Sequence, residues 1–576
     1  MKSLLKFFKG YRIKSILAPL FKCLEAIFEL LVPLAVAQII DVGIKQNDKK
    51  TVYLMSGIMI LLGVIGLICA ISAQYFSAKA AVGVSSKMRR SLFEKIQELD
   101  YSTTDKIGTS TLVTRMTGDV NSVQTGINMF LRLFMRSPFI VFGAMIMAFT
   151  INVKLALIFA VTIPLLAIVV YGIMLITMPL YKKTQSSLDN VVSKVRSNYN
   201  GTRVVRAFNK EEDEKADFES KNLNLTKRQL FVGKISALMN PLTYVVINFA
   251  VIILIKNGAL SVDSGDISQG ELVSLYNYMS QILVELIKLA NLIVTLSKAM
   301  ASANRVSNIL KMPSQCAPTA QNESCTDGSF VKLDNVSFKY NETSDEVLSN
   351  VSFSLNKGET LGVIGGTGSG KSTLINLLSG FYFPTEGSVF IDGKNTACYT
   401  KDDSLRSKIA TVPQKAILFK GSIRSNLSWG NNDATEEDMW AALDDACATD
   451  FVKEKENQLD EPVEQNGNNF SGGQKQRLTI ARALIKKSEL LILDDSASAL
   501  DYATESKLRR NIRKLEHAPT VVIVSQRASS ILHADKIVVL DDGEMVGLGT
   551  HAELLESCET YREIYYSQFT EGGNGK

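Results

Sequence analysis

Apolar residues form six long runs before residue 300 and only short segments after it. The runs cover residues 16–42, 52–81, 126–151, 155–180, 235–255 and 272–296. Each is long enough to cross a bilayer core of about 30 Å, which takes about 20 helical residues. Beyond residue 328 the pattern changes to short strands, turns and helical segments of mixed charge. We therefore predict an α-helical membrane domain of six transmembrane helices, followed by an α/β domain.

The connections between the runs predict which way the chain crosses the membrane. Two connections, after the second and fourth runs, are long, polar and rich in lysine and arginine, whereas those near residues 43–51 and 152–154 are short. The positive-inside rule places the long basic connections and both chain ends on the cytoplasmic side of the cytoplasmic membrane. Because Met88, Leu92, Ile96 and Leu99 recur at helical spacing, we expect the spans to continue as helices there. The alternative is disordered basic loops.

The domain boundaries follow from changes in composition. We predict residues 1–300 as the membrane domain with its helical extensions, 301–328 as a polar, proline-containing linker and 329–576 as the second domain. The formal net charge of +5 is small for 576 residues and is dispersed, so no nucleic-acid partner is expected. Seven cysteines are scattered without a CxxC pair, which is typical of reduced thiols in a cytosol-facing domain.

Charged residues within the apolar runs are candidates for function, because a charge in a membrane is costly unless it is paired or faces a cavity. Two interpretations stay open: the side chains near the span ends reach the interface, or they belong to a substrate path. The candidates are Glu25, Glu29, Arg132, Arg136, Glu285 and Lys288, and the two interpretations concern Glu25, Glu29, Glu285 and Lys288, which are near the span ends.

The stretch GGTGSGKST carries the clearest chemistry. It follows an apolar strand predicted over residues 360–364 and precedes an apolar helix over residues 374–378. Glycines let successive N–H groups turn around a phosphate, and the helix directs the positive end of its dipole at the same anion. In such a loop the lysine reaches the β- and γ-phosphates and the serine hydroxyl ligates Mg²⁺. The predicted binding residues are Gly365, Gly366, Thr367, Gly368, Ser369, Gly370, Lys371, Ser372 and Thr373. The alternative, a glycine-rich turn that binds nothing, does not explain why strand, glycines, Lys-Ser and helix stand in register.

Further candidates lie at the ends of other predicted elements. Tyr340 ends a strand, where its ring could stack on an adenine or form a cross-strand aromatic pair. Gln414 follows the segment TVP. The turn Ser471–Gly473 opens a basic amphipathic helix, whose N-terminus suits an anion. Asp494 closes the buried strand LLILD and is the expected partner of Mg²⁺.

These segments together resemble an ABC transporter of the exporter type, one membrane domain fused to one nucleotide-binding domain. The likeness rests on GGTGSGKS, Gln414, FSGGQKQR, LLILDD and SALD, in this order behind six spans, and covers nearly the whole chain. It implies a P-loop ATPase with an antiparallel β subdomain and a helical subdomain, which uses ATP and Mg²⁺. It also implies that two such domains pair head to tail, each ATP lying between the phosphate loop of one and the signature turn of the other.

The resemblance assigns further roles by motif. Ser372, Gln414 and Asp494 would hold the metal. The signature turn, which acts on the partner's ATP, would be Ser471, Gly472, Gly473 and Gln474. The D-loop would be Ser498, Ala499, Leu500 and Asp501.

Two positions depart from the active pattern of that family. A glutamate that polarises the attacking water and a histidine that contacts the γ-phosphate are replaced here by Asp495 and Gln526. Aspartate is shorter by one C–C bond, about 1.5 Å, and proton transfer needs its partner within about 3.2 Å. Glutamine is neutral and cannot shuttle a proton. The site is therefore expected to bind ATP well and to hydrolyse it poorly.

An intact signature turn beside a degenerate site favours a heterodimer with a second half-transporter that supplies the missing glutamate and histidine. The predicted cargo is a small hydrophobic or amphipathic compound of the multidrug type, exported in a lipid membrane. The alternatives are a lipid or peptide translocator of the same architecture, a homodimeric exporter in which Asp495 and Gln526 suffice, and an ATP-binding membrane sensor.

Overall fold

The computed structural model describes residues 6–313, 328–341, 344–399 and 404–569. These residues divide into two compact units. The first contains residues 6–97 and 108–312, and the second contains residues 98–107 together with the described residues from 313 onwards. The predicted linker lies largely outside the described residues, since residues 314–327 belong to none of these ranges.

The first unit is built from helices alone within its described residues. Six helical stretches are long and apolar enough to cross a membrane, which confirms the six predicted spans. The helices of this unit are α1 (Arg12–Gln38), α2 (Lys49–Glu98), α4 (Thr109–Thr114), α5 (Val120–Leu133), α6 (Arg136–Ile151), α7 (Val153–Ala207), α8 (Glu211–Ala237), α9 (Met239–Asp263) and α10 (Gln269–Lys311). Helix α3 (Tyr101–Ile107) comes between α2 and α4 in the chain and belongs to the second unit.

Long helices extend well beyond the apolar runs, as the helical spacing predicted. Helix α2 has 50 residues and α7 has 55, so their lengths are about 75 Å and 80 Å at 1.5 Å per residue. A π-helical turn over Arg115–Asp119 joins α4 to α5. Asn152 alone separates α6 from α7, and its side chain accepts a hydrogen bond from the Leu155 N–H, which caps the new helix.

Helix α10 differs from the predicted boundary, because it continues past residue 301 to Lys311. The reason is packing: Ala303, Val306 and Ile309 recur at helical spacing and are buried. In addition, Arg305 donates hydrogen bonds to Asp119, whose carboxylate also accepts from Arg115. The residues predicted as the start of a linker are therefore part of the helical unit.

The second unit contains a ten-stranded sheet in the order β5-β4-β1-β2-β12-β11-β3-β10-β9-β6. Strands β1 and β2 pair antiparallel, as their alternating pattern predicts, whereas β3, β6, β9 and β10 form the parallel part. The strands are β1 (Val331–Phe338), β2 (Leu348–Leu355), β3 (Thr360–Gly365), β4 (Glu386–Ile391), β5 (Lys394–Asn395), β6 (Ile409–Val412), β7 (Gly421–Ser422), β8 (Pro462–Val463), β9 (Leu490–Asp494), β10 (Thr520–Val524), β11 (Lys536–Asp541) and β12 (Glu544–Gly549).

Helices cover this sheet. The four α-helices that come between β6 and β9 in the chain form a separate layer. Burial of aliphatic residues such as Leu374, Leu490 and Val522 places the core between the sheet and α11. The helices are α3 (Tyr101–Ile107), α11 (Lys371–Leu378), α12 (Leu405–Lys408), α13 (Ile423–Leu427), α14 (Glu436–Asp445), α15 (Thr449–Lys453), α16 (Gly472–Leu484), α17 (Tyr502–Arg513), α18 (His551–Ser557) and α19 (Glu559–Gln568).

Candidate functional site

The glycine-rich stretch forms a tight loop between β3 and α11. Gly370 has φ +94°, a conformation that favours glycine, and a Cβ there would lie 2.6 Å from Leu348 Cδ2. A Cβ on Gly365 would lie 2.1 Å from the Leu540 carbonyl oxygen. Backbone conformation and space both explain why these positions are glycine, and the loop leads directly into the N-terminus of a helix.

The Lys371 ammonium lies against this loop. Its Nζ donates to the carbonyl oxygens of Gly365 at 2.9 Å and Gly366 at 2.5 Å. Burial lowers the pKa of Lys371, and the nearby charges of Asp495 and Asp494 partly oppose that effect. A cation held beside a ring of backbone N–H groups can receive the terminal phosphates of a nucleotide.

One pocket of about 820 Å³ brings most of the predicted binding residues together. Four segments of the second unit meet there: the loop, Gln414 after β6, the end of β9 and the end of β10. Of the predicted residues, those that line it are Thr367, Gly368, Ser369, Gly370, Lys371, Ser372, Thr373, Gln414, Asp494, Asp495 and Gln526.

Two adjacent carboxylates face this pocket from the end of β9. Burial raises the pKa of Asp494, and the neighbouring charge of Asp495 raises it further. Burial also raises the pKa of Asp495, opposed by a hydrogen bond from the Gln414 side chain and by the charges of Arg527 and Lys371. A bound cation would relieve this repulsion.

The residues present fit a magnesium ion. Ser372, Gln414 and Asp494 offer a hydroxyl, an amide oxygen and a carboxylate, the oxygen donors that Mg²⁺ prefers. Mg²⁺ at nucleotide sites is commonly held by one or two protein groups and by substrate phosphates, which such a small set of protein oxygens would suit.

Asp495 has an unusual backbone conformation, with φ +44°. This left-handed region is disfavoured for most residues but is tolerated by aspartate. Its N–H donates to the Val524 carbonyl at 2.9 Å, which fixes the carboxylate at the junction of β9 and β10. Gln526 follows β10 on the other side of the pocket, and its carbonyl accepts from Gln568 Nε2 at 2.8 Å.

The three histidines do not line this pocket. His551 Nδ1 is 2.8 Å from the Tyr561 hydroxyl, and burial lowers its pKa. Burial likewise lowers the pKa of His517. His517, His533 and His551 therefore do not take the place of a histidine at position 526 in this pocket.

Tyr340 lies next to the phosphate loop. Its hydroxyl is 3.1 Å from Thr373 Oγ1, and its ring meets Phe338 and Tyr382 edge-on, with centroids 4.9 Å and 5.3 Å away. Strand β1 ends at Phe338, two residues before Tyr340, and Tyr382 follows α11, so neither partner lies across from Tyr340 on a neighbouring strand. The ring therefore belongs to an aromatic cluster, and stacking on an adenine stays a prediction.

The predicted signature turn and D-loop pack on each other. The Ser471 side chain caps α16 by accepting from the Gln474 N–H, while Gln474 Oε1 accepts from the Ser471 N–H. Gln476 Oε1 accepts from the Ala499 N–H at 3.1 Å. Neither residues 471–474 nor residues 498–501 line the pocket around Lys371. Both stretches therefore lie outside the pocket around this chain's own phosphate loop.

Sequence reasoning missed an ion-pair network behind Asp495. Arg527 Nη2 donates to the Ser498 carbonyl at 3.3 Å, and Arg527 Nη1 is 3.6 Å from Glu505 Oε2. Glu505 is buried and accepts from the Ser530 hydroxyl at 2.5 Å. The sequence offered one signal of this network, because Arg527 comes directly after the substituted residue at the strand end.

Sequence reasoning also missed how α3 is anchored within the second unit. The Tyr382 hydroxyl donates to Asp105, and the rings of Tyr101 and Phe381 are 4.4 Å apart. Burial and the Asp105 carboxylate both raise the pKa of Tyr382. Because Tyr382 also contacts Tyr340, a chain of aromatic contacts connects α3 to the phosphate loop.

A second polar site lies within the membrane-spanning unit. Arg136 donates to Glu285 at 2.7 Å and to Glu29 at 2.6 Å, and Lys288 donates to Glu285 at 2.8 Å. Both Arg136 and Glu285 are buried. A cavity of about 820 Å³ is lined by Glu29, Val32, Pro33, Asn277, Ser280, Gln281, Val284, Glu285 and Lys288. Pairing and burial favour the interpretation of these charges as part of a polar cavity over the interfacial one.

Comparisons with known proteins agree with this arrangement. A family model for the ABC transporter transmembrane region matches residues 15–286, and one for the ABC transporter ATP-binding region, described as ABC transporter, matches residues 348–498. The chain is 34% identical to an uncharacterized ABC transporter ATP-binding protein of Mycobacterium tuberculosis over 98% of each chain. It is 33% identical to the uncharacterized protein YfiB of Bacillus subtilis over the full length of both.

The same fold occurs in a solved structure. The chain is similar to the structure of a bacterial Atm1-family ABC exporter with ATP bound, with a TM-score of 0.82 and 22% sequence identity. The match covers 98% of this chain and 99% of that one. At this identity the likeness shows the fold, which extends over both the membrane helices and the sheet domain.

Proposed function

Because this chain belongs to the ABC transporter family, with a transmembrane region and an ATP-binding domain in one polypeptide, we propose that it is one half of an ATP-driven exporter of amphipathic or hydrophobic compounds. Its ATP-binding domain is an ATPase coupled to transport. The observation that carries the proposal is the pocket in which Lys371, Ser372, Gln414 and Asp494 converge, in a chain with six spans. The membrane is the cytoplasmic one, with both chain ends inside.

The chain's own site binds ATP more readily than it hydrolyses it. Lys371 and the loop N–H groups bind the phosphates, and Mg²⁺ held by Ser372, Gln414 and Asp494 would neutralise their charge. Asp495 accepts from Gln414 and lies near Arg527, so its carboxylate is already engaged. Gln526 donates a hydrogen bond to the γ-phosphate but carries no proton to or from it.

A second, non-identical half-transporter completes the functional transporter. It supplies the glutamate and histidine that Asp495 and Gln526 replace, and this chain supplies Ser471–Gln474 to that partner's ATP. Two exposed apolar surfaces support the presence of a second chain: Phe419 stacks on Trp429, which is 67% exposed, and Tyr199 and Phe208 are 82% and 72% exposed. Bacillus subtilis carries both YfiB and YfiC among the relatives, so one genome can encode distinct chains of this kind.

The cargo is amphipathic rather than purely apolar. The cavity in the membrane unit offers Glu29 and Lys288, whose side chains are 40% and 42% exposed, beside the apolar Val32 and Val284. A cargo with a polar group and an apolar body can contact both the charged and the apolar side chains that line this cavity. The same cavity favours a lipid with a polar headgroup as the second candidate, which makes lipid flipping the main alternative activity.

In this mechanism ATP binding at both interfaces draws the two nucleotide domains together. The helices that extend past the spans transmit the movement, which closes the cytoplasmic gate and opens the outer one. Hydrolysis at the partner's site resets the pair, while ATP beside Asp495 persists through several cycles. The helices α2 and α7 are long and continuous enough for this transmission.

The test is transport into inside-out vesicles that contain this chain and its co-purifying partner. We expect ATP-dependent uptake of an amphipathic dye, lost when Lys371→Ala removes the phosphate contact in this chain. Lys339→Ala, on a half-exposed ion pair with Glu346, is the matched control and should transport normally. Uptake of a fluorescent lipid but not of the dye would favour the lipid translocator. ATP binding without uptake of either would contradict the exporter and favour a sensor.

A further inference from the structure

The second unit contains another large cleft, which none of the predicted nucleotide-site residues lines. Its open volume is about 1200 Å³. We call it the arginine cleft, because the last turns of α17 contribute Arg509, Arg510 and Arg513 to it. The other walls are the start of β3, the turn before β10 and residues 529–534.

The arginine cleft carries an excess of positive charge, because Glu505 pairs with Arg509 at 4.0 Å whereas Arg510 and Arg513 have no ion-pair partner among the described residues. Three arginines and His533 line it, and no aspartate or glutamate does so among the described residues. Arg509 and Arg513 are four residues apart on one helix face, where like charges are destabilising. The helix dipole favours a cation in the last turn, which explains Arg513 there but provides no counter-charge for the cleft.

The guanidinium groups are held in place but keep unused donors. Arg509 Nη1 donates to the Ser529 carbonyl at 2.6 Å, and its buried Nε has no hydrogen-bond acceptor among the described residues, with Glu505 Oε1 4.0 Å away. Arg513 donates to the His533 carbonyl. Arg510 is exposed and makes no hydrogen bond or ion pair with the described residues. Each guanidinium has five N–H donors, so most remain for a ligand.

The rest of the arginine cleft is suited to an apolar, flat body. Ile512, Pro519 and Val521 contribute apolar walls, and Tyr502 at its edge is 68% exposed. Arginine binds phosphate oxygens in pairs, and an exposed aromatic ring stacks on a base. We propose that the arginine cleft binds an aromatic organic phosphate of the size of a nucleoside monophosphate, separately from ATP. This proposal stands on these residues alone and does not depend on the proposed function.

The test uses 8-azido-AMP with the full-length chain in lipid, followed by peptide mapping of the photolabelled residues. AMP lacks the β- and γ-phosphates that Lys371 binds, so label in the arginine cleft and label near Tyr340 are distinguished by peptide. We expect label on the peptides of residues 502–534. Arg510→Glu should lower it about tenfold, since it removes a charge-assisted contact and adds repulsion. Lys507→Glu, on the same helix but outside the cleft, should leave it unchanged.

Folding is checked by 8-azido-ATP labelling of the site around Lys371, which should be equal in all variants. Label confined to the neighbourhood of Tyr340 would overturn the proposal. Label in residues 502–534 that survives both Arg510→Glu and Arg513→Ala would also overturn it, because binding would then owe nothing to the arginines.

Discussion

Replacing Asp495 by glutamate and Gln526 by histidine together is expected to raise ATP hydrolysis at this chain's own phosphate loop by about 10²- to 10⁴-fold. The longer side chain brings a carboxylate about 1.5 Å closer to the attacking water, and histidine adds a group that can carry charge and a proton. The other residues predicted to bind the phosphates and the metal ion, Lys371, Ser372 and Asp494, line the same pocket as these two positions. The measurement is single-turnover hydrolysis in the complex with a partner whose catalytic glutamate is changed to glutamine.

The single variants and a loop variant serve as controls. Asp495→Glu alone is expected to give little gain, because Gln526 still limits the reaction. Adding Lys371→Ala to the double variant should abolish the gain, which locates the hydrolysis at this loop. A large increase from Asp495→Glu alone would be evidence against two separate defects. No increase from the double variant would be evidence that neither position limits hydrolysis.

Replacing Arg136 by alanine is expected to destabilise the membrane unit by about 3–5 kcal/mol, since it leaves a buried carboxylate without its main partner. Arg136 is the only described cation within hydrogen-bond distance of both Glu29 and Glu285. The side chains of Arg136 and Glu285 are 9% and 3% exposed, so water cannot replace the lost contact. The measurement is the thermal unfolding midpoint of the purified complex in detergent.

Lys288→Ala is the matched control, because it removes another partner of the same carboxylate. The Lys288 side chain is 42% exposed, and such an ion pair contributes about 0–1 kcal/mol. Combining Arg136→Met with Glu285→Gln should recover part of the lost stability by removing the unpaired charge. Equal midpoints for Arg136→Ala and Lys288→Ala would show that the buried pair does not hold the helices together.

The fold could be predicted largely from local patterns. Six apolar runs predicted six spans, and alternating residues near Val331 and Val351 predicted an antiparallel pair of strands. Both could be predicted because a helix forms its backbone hydrogen bonds within itself and a strand pair forms them within two elements. The end of α10 was not predictable in the same way. From the sequence alone Arg305 is assigned to the linker, because Asp119, which accepts its hydrogen bonds, is distant in the chain.

The nucleotide pocket was accessible to sequence reasoning because its residues occur in motifs at strand ends. Gln414 and Gln526 follow strands of the parallel sheet and Asp494 ends one, and such strand ends meet at one edge. Glu505, Tyr382 and Asp105 were missed because their roles depend on contacts between distant segments. The positive φ of Asp495 was likewise invisible, since it results from how β9 meets β10.

We propose that this chain binds ATP but leaves hydrolysis to a partner. The most direct test is the steady-state Mg²⁺-ATPase rate of the purified chain in lipid, alone and with whatever half-transporter co-purifies from native membrane. The expected result is stable ATP binding with almost no turnover by the chain alone, and rapid turnover once the partner is present. Rapid hydrolysis by the chain alone, abolished by Lys371→Ala, would contradict the claim.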